Sequence, residues 1–328
     1  MELTKDSLDD LLHHLYEALI ADGSENRSNQ GDSIELLGVT LRLTKPRSRL
    51  SRSATRSRPL SALGELLWYL AGSDEVAFMK PYIPSYGDID GLPQVNGAYG
   101  PRIRSRHGFD QLHAVTEAMR EKGGSRRTVI QLYEAKDFLT KLDVPCTLSL
   151  QFYRRGDTLH MSTMMRSNDA YLGVPHDIFC FTMIQELVAA ELGLELGEYV
   201  HMVGSMHLYA RDLDRAKRYL SEGFQRIDEM APMPTDAPFA QMEKLLALET
   251  RIRAREDLDP GAELTAPYWS DLARLVQVIF AGSDDGKIQE ISSSMSTTFY
   301  QNFIEDRRAL KAAGEKRKAQ KQAEAGAA

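Results

Sequence analysis

The sequence has 328 residues, of which 42% are hydrophobic and 27% charged, with a formal net charge of −7; this composition excludes a disordered chain and supports a buried core. The negative balance excludes wrapping of a nucleic-acid backbone, which needs a basic face to release counterions, but leaves open an anionic small substrate held by local arginines. Only two cysteines occur, Cys146 and Cys180, with neither an export-type amino terminus nor an apolar run approaching a membrane span, so the cytoplasm is the expected compartment.

In chain order, Leu8, Leu11, Leu12, Leu15 and Leu19 recur at helical spacing and predict an amphipathic helix over 7–20. The polar segment ADGSENRSNQGDS ends it as a loop, in which Arg27 either meets an anion or faces water. Residues 34–43 alternate and are rich in branched side chains, as strands are. The run Arg47, Arg49, Arg52, Arg56 and Arg58 then reads as a solvated or anion-facing loop. LSALGELLWYL over 60–70 is helical and almost wholly apolar. Glu65 in its middle either points outward or is buried with a partner, because an unpaired buried carboxylate is costly. Prolines, glycines and tyrosines over 81–101 predict a long ordered loop. A helix near 109–121 and a strand opening at Arg126 and Arg127 follow.

Strands over 146–153 and 159–166 flank the turn RRGD, with His160, Ser162, Met164 and Arg166 on one face and Arg166 at the strand end beside the loop SNDAYLG. Residues 175–191 are apolar nearly all round and mark a buried helix, with Pro175 in its first turn and Asp177 placed to cap N–H groups or meet a ligand. Residues 199–209 form a strand with His201, Val203, Ser205, His207 and Tyr209 along one side. After Arg211 the chain is helical, with apolar spacing at 242–252 and 268–280. Polar clusters at the ends of core-building elements between Pro145 and Tyr209 are the pattern of a small-molecule site. No metal-ligand spacing or glycine-rich phosphate loop is present. These residues alone define a mixed α/β domain with a possible anion site.

Taken in order, ELLWYLAG around Glu65, AYGPRIR around Tyr99, SRR at Arg126 and Arg127, PC at Cys146, RSNDAYLGVPHDI and HLY at His207 resemble the thymidylate synthases and their relatives the pyrimidine-nucleotide hydroxymethylases. The resemblance covers roughly residues 8–220. It implies an α/β (α+β) fold with a mixed β-sheet at a dimer interface, covered by helices, and extra carboxyl-terminal helices. A single catalytic domain is expected over 1–310, its helical part at about 211–310, followed by a polar tail over 311–328.

The resemblance also implies roles. Cys146 is the nucleophile that adds to C6 of a pyrimidine, making C5 an enamine-like carbon that takes the one-carbon unit of 5,10-methylenetetrahydrofolate; Arg166 beside it is expected to favour the thiolate. Arg27, Arg166 and Ser167, with Arg126 and Arg127 of the partner subunit, are a phosphate clamp, which requires a homodimer. His207 and Tyr209 hold the sugar, Asp169 contacts folate, Glu65 organises water and moves protons, and Tyr99 stands close to C5.

Departures narrow the expectation. The synthases carry Asn where this chain has Asp177; an ionised Asp cannot donate to O4 of uracil but can accept from the cytosine amino group and share a proton with N3, an exchange the family's cytidylate hydroxymethylases also carry. The loop that bears a tryptophan in the synthases has Tyr86 or a neighbour, Thr147 stands for a histidine, Ser205 for an aspartate, and the apolar terminal segment is replaced by helices and a charged tail. A wetter pocket favours water over hydride at the exocyclic methylene. The expected activity is therefore 5-hydroxymethylation of CMP or dCMP; the alternatives are methylation of dUMP or a cytidylate, and a catalytically silent nucleotide-binding relative.

Overall fold

The computed structural model describes residues 1–28, 30–55, 59–86 and 91–309. Arg56, Arg58, part of the 81–101 loop and the polar tail over 311–328 lie outside the described residues. The described residues fall into two compact units, one within 1–56 and 61–240, the other within 57–60 and 241–328.

The first unit runs β1 (Glu2–Lys5), α1 (Leu8–Asp22), β2 (Ser24–Ser28), β3 (Gly31–Leu43), α2 (Pro59–Leu70), α3 (Val76–Met79), α4 (Tyr99–Arg104), α5 (Gln111–Glu121), β4 (Val129–Gln131), β5 (Thr147–Arg155), β6 (Thr158–Asp169), α6 (Gly173–Glu191), β7 (Glu195–Tyr209) and α7 (Leu213–Ser221). The strands form one mixed sheet in the order β1-β3-β7-β6-β5-β4, with β2 paired to β3. β1 with β3 and β6 with β7 are parallel, the latter joined through α6 as parallel neighbours require. Ser7 caps α1 by accepting from the Asp10 N–H at 3.1 Å, and Leu8, Leu11, Leu12, Leu15 and Leu19 are all buried. Each such leucine contributes about 1.5–3 kcal/mol. α6 is buried nearly all round; its Gln185 Nε2 donates to the Leu159 and Gly197 carbonyls at 3.0 Å, tying the starts of β6 and β7 to the helix. The mixed sheet with flanking helices agrees with the expected fold.

Four local expectations are corrected. The polar segment after α1 is a strand, β2, because its backbone pairs antiparallel with β3 from Ser24–Glu35 to Ser28–Gly31. The described part of the arginine run is not a solvated loop: Arg49 is fully buried and Arg47 half-buried, both on the buried carboxylate of Glu186, and Arg52 pairs with Asp228. β6 continues to Asp169, so Arg166 lies within the strand. The fourth concerns β7. Its pairings step over Gly204, and the facing rows step over Gly38 in β3 and Arg166 in β6. Burial follows His201 and Val203 up to this point and Met206 and Leu208 beyond it. The irregularity changes the phase of the strand, so His207 does not share a face with His201.

The second unit is helical, with α8 (Pro238–Arg253), α9 (Pro260–Glu263), α10 (Pro267–Phe280), α11 (Asp285–Ser293) and a helix at 301–309. Trp269, Leu272, Val276, Ile288 and Phe303 are among its buried residues, and the buried Asp271 accepts from the Ser296 N–H and the Arg274 guanidinium. Among the described residues no helix is long and apolar enough to cross a membrane.

Candidate active site

Cys146 is half-buried at the entry to β5. Arg166 fixes the chain leading to it: its backbone N–H donates to the Cys146 carbonyl at 2.9 Å, Nε to the Pro145 carbonyl at 3.0 Å and Nη2 to the Val144 carbonyl at 3.2 Å, with Nη2 3.6 Å from Sγ. The glycine opposite is required for this approach, since a Cβ on Gly204 would stand 2.8 Å from the Arg166 carbonyl oxygen. Burial pushes the Cys146 thiol up to about 11; Arg166 opposes the rise, while Asp177 and Asp143 add to it. Arg166 favours the thiolate as expected, but in the single chain one guanidinium does not outweigh burial and two carboxyl groups.

Glu65 does not point outward. Its Oε2 lies 2.7 Å from His176 Nδ1, and Tyr69 donates to Oε1 at 2.6 Å. Burial raises its pKa, but His176, by hydrogen bond and charge, and Tyr69 together lower it further, so that the net shift is below the usual carboxylate value. His176 Nε2 in turn lies 3.0 Å from Ser61 Oγ. At the start of α4, Tyr99 Oη accepts from the Thr147 N–H at 3.1 Å and from its hydroxyl at 2.9 Å, which leaves the phenol proton to donate elsewhere. Burial, with Asp177 and Cys146 nearby, raises the Tyr99 pKa well above its ordinary value and keeps it a neutral donor. Its ring packs 5.0 Å from Tyr69 and 6.3 Å from Phe181.

Asp177 is buried just beyond the first turn of α6. Burial drives its pKa well up, Glu65 adds to the rise, and a hydrogen bond from Asn168 opposes it. Burial thus favours the neutral carboxyl over the ionised form expected from the sequence. Asn168 Nδ2 also lies 2.9 Å from His201 Nε2, and His201 Nδ1 lies 2.8 Å from Tyr199 Oη, a buried polar row behind Asp177. Gly173 admits this packing: a Cβ there would meet Asn168 Oδ1 at 2.2 Å.

Past the irregularity, His207 Nδ1 lies 3.4 Å from Ser167 Oγ, its ring stands edge-on to Tyr209 at 4.9 Å, and it pairs in register with Asp169. Asp169 Oδ1 accepts from the Tyr171 and Leu172 N–H groups. Tyr86 packs edge-on to Trp68, and burial, with Glu65, Asp143, Asp177 and Cys146 nearby, raises its pKa well above the ordinary value. Cys146, Arg166, Asp177, Glu65, Tyr99 and Tyr86 are thus gathered, as are Ser167, His207, Tyr209 and Asp169. The other arginines are not. Arg27 is exposed on β2, while Arg126 and Arg127 are exposed ahead of β4, at the opposite end of the strand order.

Sequence reading missed His176, Asn168 and Arg211, whose guanidinium stacks 3.9 Å over the Tyr209 ring. His176 lies inside the quoted RSNDAYLGVPHDI block, but its partner Glu65 is 111 residues away, and no local spacing signals the pair.

Residues 10–240 match the family model described as thymidylate synthase. The match takes in every element of the site described above.

Proposed function

Because the chain belongs to the thymidylate synthase family and is a one-carbon transferase, we propose that it is a cytidylate 5-hydroxymethyltransferase acting on CMP or dCMP. The family uses methylenetetrahydrofolate and pyrimidine nucleoside monophosphates and is typically dimeric; those properties are proposed here for this chain.

The observation that carries the reading is the buried Asp177 beside the Cys146 cluster, whose carboxyl burial drives toward the neutral form. A neutral carboxyl offers one donor and one acceptor. Against cytosine the donor meets N3 and the acceptor meets the amino group. Passing the proton to N3 leaves a carboxylate beside a cationic ring, whose C6 is then open to the Cys146 sulfur. Uracil can pair with the same acid if the two oxygens exchange roles, and this favours dUMP as the second reading. Uracil has no basic N3 to take the proton, so that pair gains no ring activation.

Arg166, Ser167 and Arg27 are proposed to hold the phosphate, with Arg126 and Arg127 of a second copy. Added guanidiniums would also draw the Cys146 thiol down from its single-chain value. Support for pairing of two copies comes from apolar side chains left open on the strands, Leu37 at 72% and Met164 at 42% exposure. His207 and Tyr209 are proposed to bind the sugar. Methylenetetrahydrofolate, when bound, supplies the one-carbon unit. Asp169 fits it through the oxygen not turned to the Tyr171 and Leu172 N–H groups, with Leu172 and Tyr86 offering apolar surface.

After carbon transfer, water oxygen bonds the exocyclic methylene while its proton passes to Glu65. The C5–methylene electron pair moves onto C5, and breaking the C6–sulfur bond restores the C5–C6 double bond and the Cys146 thiolate. Turnover in 18O-labelled water tests this step. Hydroxymethyl product carrying the label is expected; a methyl product, or unlabelled oxygen, would contradict water capture.

A further inference from the structure

Glu65 is set among groups that offer it little positive charge. Tyr69, Tyr86 and Cys180 face it as neutral groups, and Asp177 faces it as a second carboxyl. Among the described residues recorded against it, His176 alone can bring a cation. The imidazole is held at both ends, with Nδ1 2.7 Å from Glu65 Oε2 and Nε2 3.0 Å from Ser61 Oγ. That order of carboxylate, imidazole and hydroxyl fixes the ring so that Nδ1–H donates to Glu65. His176 and Glu65 are only 16% and 13% exposed, which keeps their attraction from being screened.

We propose that His176 is the positioning residue that keeps Glu65 the proton acceptor for the water adding to the exocyclic methylene, with Ser61 fixing the outer face of its ring. This rests on the hydroxymethyl reading above for the identity of the water step, but the coupling of His176 to Glu65 does not. Asp177 and Glu65 would otherwise compete for one charge in one cavity. His176 decides the competition: Glu65 holds the negative charge and Asp177 keeps the proton that the base needs.

Two variants and two readouts test the assignment. His176→Phe removes the donor and the charge; His176→Gln keeps an N–H donor without charge. The acid limb of the pH–rate profile should move upward in His176→Phe by about one pH unit or more, the size of an opposite-charge effect at this distance, and by less in His176→Gln. The same order should appear without nucleotide, in 13C NMR titration of the Glu65 carboxyl in glutamate-labelled protein, the signal being assigned by its loss in Glu65→Gln. Reduced turnover with both the acid limb and the Glu65 titration unmoved would mean that His176 only packs, and would overturn the proposal. If the wild type converts dUMP instead of a cytidylate, the hydroxymethyl reading fails, yet the acid limb on dUMP and the carboxyl titration still decide the role of His176.

Discussion

Two carboxyl groups in one cavity are driven apart in charge by their immediate partners. Glu65 has an imidazole and a phenol and leans ionised; Asp177 has burial and a neighbouring carboxylate and leans neutral. This division supplies a base and an acid from the same chemical group. At Cys146 the balance favours the thiol, and the thiolate fraction grows only as pH rises toward about 11. Iodoacetamide alkylation of the nucleotide-free protein should therefore be slow at neutral pH and accelerate steadily with pH, and Arg166→Gln should shift that profile upward. A profile unmoved by Arg166→Gln would show that the guanidinium at 3.6 Å does not act on the sulfur. Thr147→Val keeps the backbone N–H to Tyr99 but loses the hydroxyl, so turnover should fall about tenfold with little change in KM, less than the roughly hundredfold or more of losing an acid–base group outright, because Tyr99 keeps one of its two anchors. Cys146 was legible as the candidate nucleophile because a cysteine after proline sits in a distinctive block. Arg166 was legible as a partner, whereas the effect of Asp177 and Asp143 on the charge of Cys146 was not, since they arrive from α6 and from the loop before β5.

At the scale of elements, the sheet irregularity across Gly38, Gly204 and Arg166 is what turns His207 and Ser167 away from the face of His201. Simple alternation along β7 does not reveal it, because the register with β3 and β6 is the same on both sides of Gly204 and only the passage of the buried positions from Val203 to Met206 and Leu208 marks it. Gly204→Ala should push on the Arg166 carbonyl and lower turnover more than stability, read by kcat beside Tm. The arginine run misled for a different reason. A charged sequence reads as solvated, whereas Arg49 and Arg47 enter the core to meet Glu186 on α6. Burial raises the Glu186 carboxyl, and the two arginines more than offset that, leaving its pKa below the usual range. Arg49→Leu should cost about 1.5–3 kcal/mol in denaturant unfolding, the loss of one charged hydrogen bond, since Glu186 keeps Arg47 at 2.6 Å. The folded pKa of Glu186 is depressed. The stability it contributes is present above the ordinary glutamate value of about 4.3 and is lost as pH falls through the lower folded value. Helix α1 and the buried α6 were legible as they stand, since their periodicity is dictated by burial alone.

Across the whole molecule, the arginines separate the chain from a complete phosphate site: Arg27 and the Arg126–Arg127 pair stand toward opposite ends of the strand order. A site shared between two copies predicts complementation. Cys146→Ala and the Arg126→Ala/Arg127→Ala double variant, each inactive alone, should recover about a quarter of wild-type activity after mixing and subunit exchange, because half of the dimers carry one intact site in a twofold assembly. Recovery at background level would place both arginines outside the shared site. The family match ends at residue 240, and the second compact unit takes up the chain from residue 241. Its helices were legible from apolar spacing; nothing in their composition signals a ligand.

The central claim, that Asp177 reads cytosine, is tested most directly by kcat/KM for CMP, dCMP and dUMP with wild type and Asp177→Asn, product mass being recorded. The wild type should add CH2O to a cytidylate and prefer it to dUMP by about a hundredfold or more, the size of a general-acid contribution that uracil, with no basic N3 to take the Asp177 proton, cannot receive. Asp177→Asn, whose amide accepts from N3–H and donates to O4, should invert that preference. A wild type that turns over dUMP in preference to both cytidylates, with the ranking unchanged in Asp177→Asn, would contradict the account.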